Sequence, residues 1–292
     1  MLMLLNKNSK NPSNNYSLLY NFYKSANLKD KAFHTKKLML LTSDIPEANE
    51  ISIIMEKLND SKLKKSDIDS FIKRNASNIY AIKSIAELGL QYNNAEIINA
   101  LPYPKIQKDI PAPDSTVNLL YKLEYVIMKK DSNDALSLYK QLELAGKKYE
   151  EKLLGFKILL DAISKNDVTK SIIHFAETYS KDYPSRLIAL GKIFIKIQYY
   201  KEATLIANIL LEKYPEAYKV NEYASEVFLA RKDYGAIASL AIKAKSRISF
   251  EALNALSKLD NDSFIMLSEE DLKIIKQKIK ESKVNFDNIN RL

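Results

Sequence analysis

Acid–base, nucleophilic and metal chemistry each need a small set of side chains in workable spacing, and this chain holds few of them. It has two histidines, His34 and His174, and no cysteine. His34 stands beside Phe33 with Lys36 and Lys37 close by, and His174 falls within Ile172–Ile173–His174–Phe175, a mostly apolar helical stretch. Both read as structural or incidental. Without cysteine there is no disulfide framework, thiol nucleophile or thiolate metal site. No histidine–glutamate zinc spelling, glycine-rich phosphate loop or serine-bearing nucleophile elbow occurs.

Carboxylates are abundant, but their neighbours assign them to helix ends. Glu150–Glu151 opens a helix, where the dipole favours acids. Asp131 with Asp134, and Asp260 with Asp262, are turn residues that cap or stop helices. None has an evident apolar pocket to raise its pKa toward that of a general acid. The expectation is a chain without catalytic, cofactor-binding or metal-binding residues, and hence a non-enzymatic protein.

The elements around these residues are helical. The 292 residues are 46% apolar, enough for a sizeable core, and include only 5 glycines and 8 prolines. A nucleotide-binding α/β core or a sheet with glycine-rich turns would need more glycine, so an all-α fold is expected. No stretch approaches the roughly 18 apolar residues of a membrane-crossing helix. The opening run Met1–Leu5 precedes Asn6, Lys7 and Asn8, the reverse of a secretory signal, so a cytoplasmic location is expected, with a mature periplasmic form left open.

The formal charge of +9 is diffuse. Residues 1–80, 81–100, 101–184 and 185–292 carry net charges of +5, −1, +1 and +4, and only 5 of the 45 basic residues are arginine. Lysines interspersed with acids from end to end argue against a nucleic-acid stripe.

Repetition is the strongest long-range signal. Leu187, Leu190, Gly191 and Phe194 form one helical face, Tyr199 and Tyr200 mark a turn, and Ala203, Ile206, Ala207 and Leu210 form a second face before Pro215. Gly191 is expected where a neighbouring helix comes close. The next unit repeats this with Val220, Tyr223, Ala224 and Val227, a turn at 231–234, then Ala236, Ile237 and Leu240. Small residues recur every 33–34 positions at Ala135, Thr169, Ala203 and Ala236, after turn signals at Asn133–Asp134 and Asn166–Asp167. A looser series includes Ala32 and Ser66, with Tyr16, Leu19, Tyr20 and Tyr23 ahead of a turn near Asn27–Asp30 and a helix start at Pro46. Pro102, Pro104, Pro111 and Pro113 break helix repeatedly. Three segments are therefore expected: an irregular helical segment at 1–101, a proline-rich linker or long inter-repeat loop at 102–114, and a repeat domain with capping helices at 115–292. Ser268 is an expected N-cap before Glu269–Glu270–Asp271, on a helix running to about Ser282. Of the 18 tyrosines, Tyr20, Tyr23, Tyr121, Tyr125, Tyr139, Tyr199, Tyr200 and Tyr234 recur near helix ends, as suits half-wet packing.

The pattern of Leu187, Leu190, Gly191, Phe194, Ala203, Ala207 and Pro215 resembles the tetratricopeptide repeat, a helix–turn–helix unit of about 34 residues. The resemblance is good over 184–247, moderate over 115–183 and weak over 13–101. It implies antiparallel helix pairs in a right-handed superhelix, with a concave face made mainly by the first helix of each pair. That face would comprise Ser185, Ile188, Lys192, Ile195 and Lys196, followed by Tyr218, Asn221, Ser225 and Phe228. The lysine–asparagine clamp by which one subfamily grips chaperone tails is not met: Ile188 and Asn221 hold its first position, and Lys192 replaces its asparagine. The implied function is a scaffold or adaptor binding a partner protein or extended, acidic peptide. Alternatives are a single-stranded RNA-binding helical repeat and a recruiting domain of a larger enzyme system.

Overall fold

Every regular element among the described residues is an α-helix, as the scarcity of glycine and the 3,4-spaced apolar residues anticipate. The computed structural model describes residues 16, 19, 20, 23, 29–41, 47–107, 111–146, 149–181, 183–244, 248–257 and 268–290. The chain divides into two compact units between Val168 and Thr169. The first holds α1 (Lys29–Leu41), α2 (Ala48–Asn59), α3 (Lys65–Asn75), α4 (Ile79–Gln91), α5 (Ala95–Ala100), α6 (Thr116–Met128), α7 (Ser132–Glu143) and α8 (Glu150–Ile163). The second holds α9 (Thr169–Thr178), α10 (Pro184–Lys196), α11 (Tyr200–Lys213), α12 (Tyr218–Ala230), α13 (Tyr234–Lys243), α14 (Phe250–Leu256) and α15 (Glu269–Asn290). The sequence expectations at Met1–Leu5, Asn27, Pro46, Asp260 and Asp262 lie outside the described residues.

Within each unit the helices alternate as first and second members of pairs joined by one kind of turn, and the same turn also follows α8, the last helix of the first unit. After the first helix of each pair, one residue takes a left-handed backbone: Ser61, Asn93, Lys130, Lys165, Gln198 and Lys232, with φ between 52° and 66°. Two backbone bonds close each turn. The Lys130 amide donates to the Ile127 carbonyl at 2.8 Å and the Asp131 amide to Val126 at 3.2 Å. At Gln198 the same bonds run to Ile195 at 3.0 Å and from Tyr199 to Phe194 at 2.8 Å, and at Lys232 to Leu229 and from Asp233 to Phe228, both at 2.9 Å. This is the Schellman closure, which satisfies carbonyls orphaned at a helix end. The six turn residues are spaced 32, 37, 35, 33 and 34 apart. None is glycine, although a non-glycine residue in this region costs on the order of 1 kcal/mol or more. The second helix then starts on an acceptor side chain: Asn94, Asp131 and Asp233 receive the amides of Ile97, Asp134 and Ala236 at 2.9–3.1 Å. Asn133 and Asp134 thus sit inside the first turn of α7, with Asp131 as its cap.

A second device recurs where one pair leads into the next. A side chain in the first turn or so of the incoming helix donates to a carbonyl left by the outgoing one. Asn118 reaches Pro102 at 2.7 Å, Arg186 reaches Tyr179 at 2.9 Å and Asn221 reaches Pro215 at 3.0 Å. At α3 the Lys64 amide and Lys57 ammonium both donate to Asp67, at 3.0 and 2.7 Å, and hold its carboxyl below the usual range.

The first unit's core runs without a break from Leu40 through Ile51, Met55, Phe71, Ile85 and Ile98, and Tyr121, Tyr125 and Met128 of α6 pack against it. Of the two readings of 102–114, linker or long inter-repeat loop, the packing around it accords with the loop. The prolines stop helix there, but Leu101 and Ile106 remain buried, and α4 and α5 pack against α6. The described part of the segment, 102–107 and 111–114, belongs to the first unit. The eight tyrosines expected at half-wet helix ends are all half-buried. At the C-terminal end, Ser268 caps α15 by accepting the Asp271 amide at 3.1 Å, and the helix continues past Ser282 to Asn290.

Candidate partner-binding face

The residues assigned to a recognition face all lie on α10 and α12, and what sets these helices against each other is the absence of a side chain. A Cβ built at Gly191 would lie 2.0 Å from the Tyr223 hydroxyl oxygen and 2.4 Å from its ring carbon Cζ. Glycine therefore makes the notch that lets Tyr223 cross, as the close approach expected at Gly191 requires. The fully buried Tyr223 hydroxyl donates to the Ala203 carbonyl of α11 at 3.0 Å. Burial, with the Glu226 carboxylate adding to it, pushes this phenol well up, so it remains a donor. One contact thus joins α10, α11 and α12.

The nine face residues separate into two groups. Ser185, Lys192, Lys196 and Tyr218 are exposed and Ile195 is half-buried. Ile188, Asn221, Ser225 and Phe228 are buried. Asn221 spends its amide on Pro215, and the Ser225 hydroxyl donates to the Asn221 carbonyl at 2.6 Å and accepts the Ser249 amide at 3.4 Å. α14 packs over this side of α12. These positions are corrected from surface to interior.

For the three positions on α12 the cause is a register slip of one residue, whereas Ile188 on α10 is simply part of that helix's packed side. The expected face steps by 33 residues from α10 to α12, following Ala203 and Ala236. The turn residues Gln198 and Lys232 step by 34. Ala203 is fully buried whereas Ala236 is half-buried; the buried counterpart is Ile237. One residue is about 100° around a helix, enough to exchange a solvent face for a packed one. In the 34-residue register the partners of Ser185, Ile188, Lys192 and Ile195 are Lys219, Glu222, Glu226 and Leu229. None of these four is buried. Lys192 donates to Glu226 at 3.4 Å and Tyr218 to Glu222 at 3.5 Å. Both acids escaped the sequence reading, although Tyr200 with Tyr234 and Phe194 with Phe228 already mark a 34-residue step.

The face is thus a mixed-charge surface of half-exposed acids and exposed lysines, with Tyr218 50% exposed at one end. Behind it, between α11, α12 and α13, Asn221 and Phe228 line a cavity of about 350 Å³. The groups with chemical potential lie apart: His34 and His174 are both exposed, and the His174 ring stands 3.5 Å from the Thr178 hydroxyl on its own helix. Among the described residues no group of three histidine, aspartate or glutamate side chains is placed to hold a metal ion. No described helix is long and apolar enough to cross a membrane.

No protein-family model, curated protein or solved structure matches this chain.

Proposed function

We propose that the chain is a non-enzymatic adaptor of the tetratricopeptide-like kind, in which successive hairpins within each unit stack as repeats and present a face to a partner protein or peptide in the cytoplasm. The single observation that supports this most is the recurrence of one turn, closed by the same two backbone bonds, six times at intervals of 32–37 residues. A chain of equivalent hairpins, each burying its apolar side against its neighbours, leaves extended surface for contact. The binding residues in this proposal are Ser185, Lys192, Ile195, Lys196 and Tyr218, joined by Glu222 and Glu226. Because Lys192 already faces Glu226, the partner surface is expected to carry both signs of charge and not acid alone.

The test is affinity capture with the intact protein and with a Lys192→Glu/Lys196→Glu/Glu226→Lys variant, each with and without nuclease. All three side chains lie at the surface, so the variant keeps its fold, which circular dichroism verifies. A partner that survives nuclease and is lost from the variant establishes the adaptor and its face. Recovery of RNA alone, abolished by nuclease, replaces this function with single-stranded RNA binding. Retention of the protein partner by the variant moves the interface away from α10 and α12.

A further inference from the structure

The cavity between α11, α12 and α13 is distinct from the α10–α12 face and has its own chemistry. Its volume of about 350 Å³ lies at the small end of the roughly 300–1,000 Å³ spanned by ligand clefts. Leu211, Phe228 and Leu240 give it apolar walls. The one amide in its lining, Asn221, donates its Nδ2 to the Pro215 carbonyl at 3.0 Å. No charged side chain lies buried in it to orient a small polar metabolite. Glu212 near the end of α11 and Lys243 at the end of α13 also line it, and both are exposed, so opposite charges flank its opening.

We propose that this cavity takes one bulky apolar side chain of a partner peptide that carries a basic and an acidic residue on either side of that anchor. The inference deepens the adaptor function and rests on it. The apolar walls provide non-directional affinity for a leucine- or phenylalanine-sized group. The rim charges provide the preference for a peptide of mixed charge, since exposed pairs contribute little affinity but penalise like-charge neighbours.

The experiment titrates the intact protein, with its leucine and alanine methyl groups labelled, with the peptide acetyl-Ala-Lys-Ala-Phe-Ala-Glu-Ala-amide. Saturable shifts at Leu211, Ala236 and Leu240 are expected. Replacing the peptide's phenylalanine with alanine weakens binding about tenfold or more. Replacing its two charges with glutamine weakens it about two- to fivefold. Ser239→Phe, which fills the cavity from α13, abolishes the shifts. The Glu212→Gln/Lys243→Gln variant, altered only at exposed positions, removes the charge preference without the anchor preference and serves if Ser239→Phe fails to fold.

Absence of saturable shifts at these methyls into the millimolar range overturns the proposal, as does binding that survives cavity filling. Self-association in sedimentation velocity that Ser239→Phe abolishes would make a second copy of the chain the occupant, and also overturns it. A silent cavity together with a partner lost from the surface variant defeats this inference alone. A silent cavity together with capture of RNA only defeats the adaptor function as well.

Discussion

α10 and α12 occupy the same place in successive hairpins, yet they spend their small residues in opposite ways. Gly191 in α10 is a notch filled by an aromatic ring from the next hairpin. Ser225, its counterpart 34 residues on, is covered instead by the chain leading into α14 and holds the Ser249 amide. The difference teaches that a small residue does not by itself define a repeat position. What defines it here is the left-handed turn residue that closes each pair, and small residues are recruited wherever a neighbour demands room.

The sharpest way to break this comparison is to place alanine at both positions. Gly191→Ala is expected to destabilise the protein by roughly 2–4 kcal/mol in urea denaturation, because the added methyl overlaps Tyr223 and breaks its bond to Ala203. Ser225→Ala removes the acceptor of the Ser249 amide and a donor to the Asn221 carbonyl, and is expected to cost about 1–2 kcal/mol. Equal losses would show that both sites are mere spacers. Next in size are the asparagines at the pair-to-pair joints. Asn221→Ala and Asn118→Ala should each lower stability by about 1–3 kcal/mol, and similar values would mark them as one device used in both units. A loss at Asn118 alone would show that the Asn221–Pro215 bond adds little to its joint.

The turn residues respond in the other direction. Lys232→Gly and Lys130→Gly relieve a left-handed non-glycine backbone and should raise stability by roughly 0.5–1 kcal/mol, after the greater freedom of the unfolded glycine is subtracted. Calorimetric melting of the single and double variants checks this, and a drop in melting temperature would mean that the lysine side chains hold the turns. Smallest is the Lys192–Glu226 pair, with 46% and 40% of its side chains exposed. A double-mutant cycle should give about 0.2–1 kcal/mol of coupling, shrinking as salt is added. Coupling that persists in high salt would indicate a more tightly held link between α10 and α12.

Much of the architecture was legible from the chain. Low glycine content and 3,4-spaced apolar residues point to helices, Gly191 pointed to a close helix approach, and Ser268 to an N-cap. The turn residues were not legible because Ser, Asn, Lys and Gln stand where glycine would have announced them. Their backbone geometry follows from closing the carbonyls of the preceding helix, which no side chain records. That omission let Ala236 stand in for Ile237 and rotated the inferred face on α12. The proline-rich segment left linker and loop open for a related reason: proline reports where helix stops, while the burial of Leu101 and Ile106 is what speaks for a packed loop. On α10 the positions of Ser185, Lys192 and Lys196 were legible, since they needed no step from one repeat to the next, although Ile188 beside them is buried.

Closing each hairpin through bonds between residues only three and five apart has a kinetic consequence. The turn needs no distant strand or domain to complete it, so a pair can begin to form as soon as its two helices have been synthesised. Chains dominated by such short-range closures have low contact order and fold quickly. Nucleation is then available at several hairpins along the chain, with growth by docking of the next pair. The contact at Gly191 differs in kind, because Tyr223 arrives 32 residues later. Folding of the second unit should therefore have its rate-limiting step there, when one formed hairpin must accept the ring of the next.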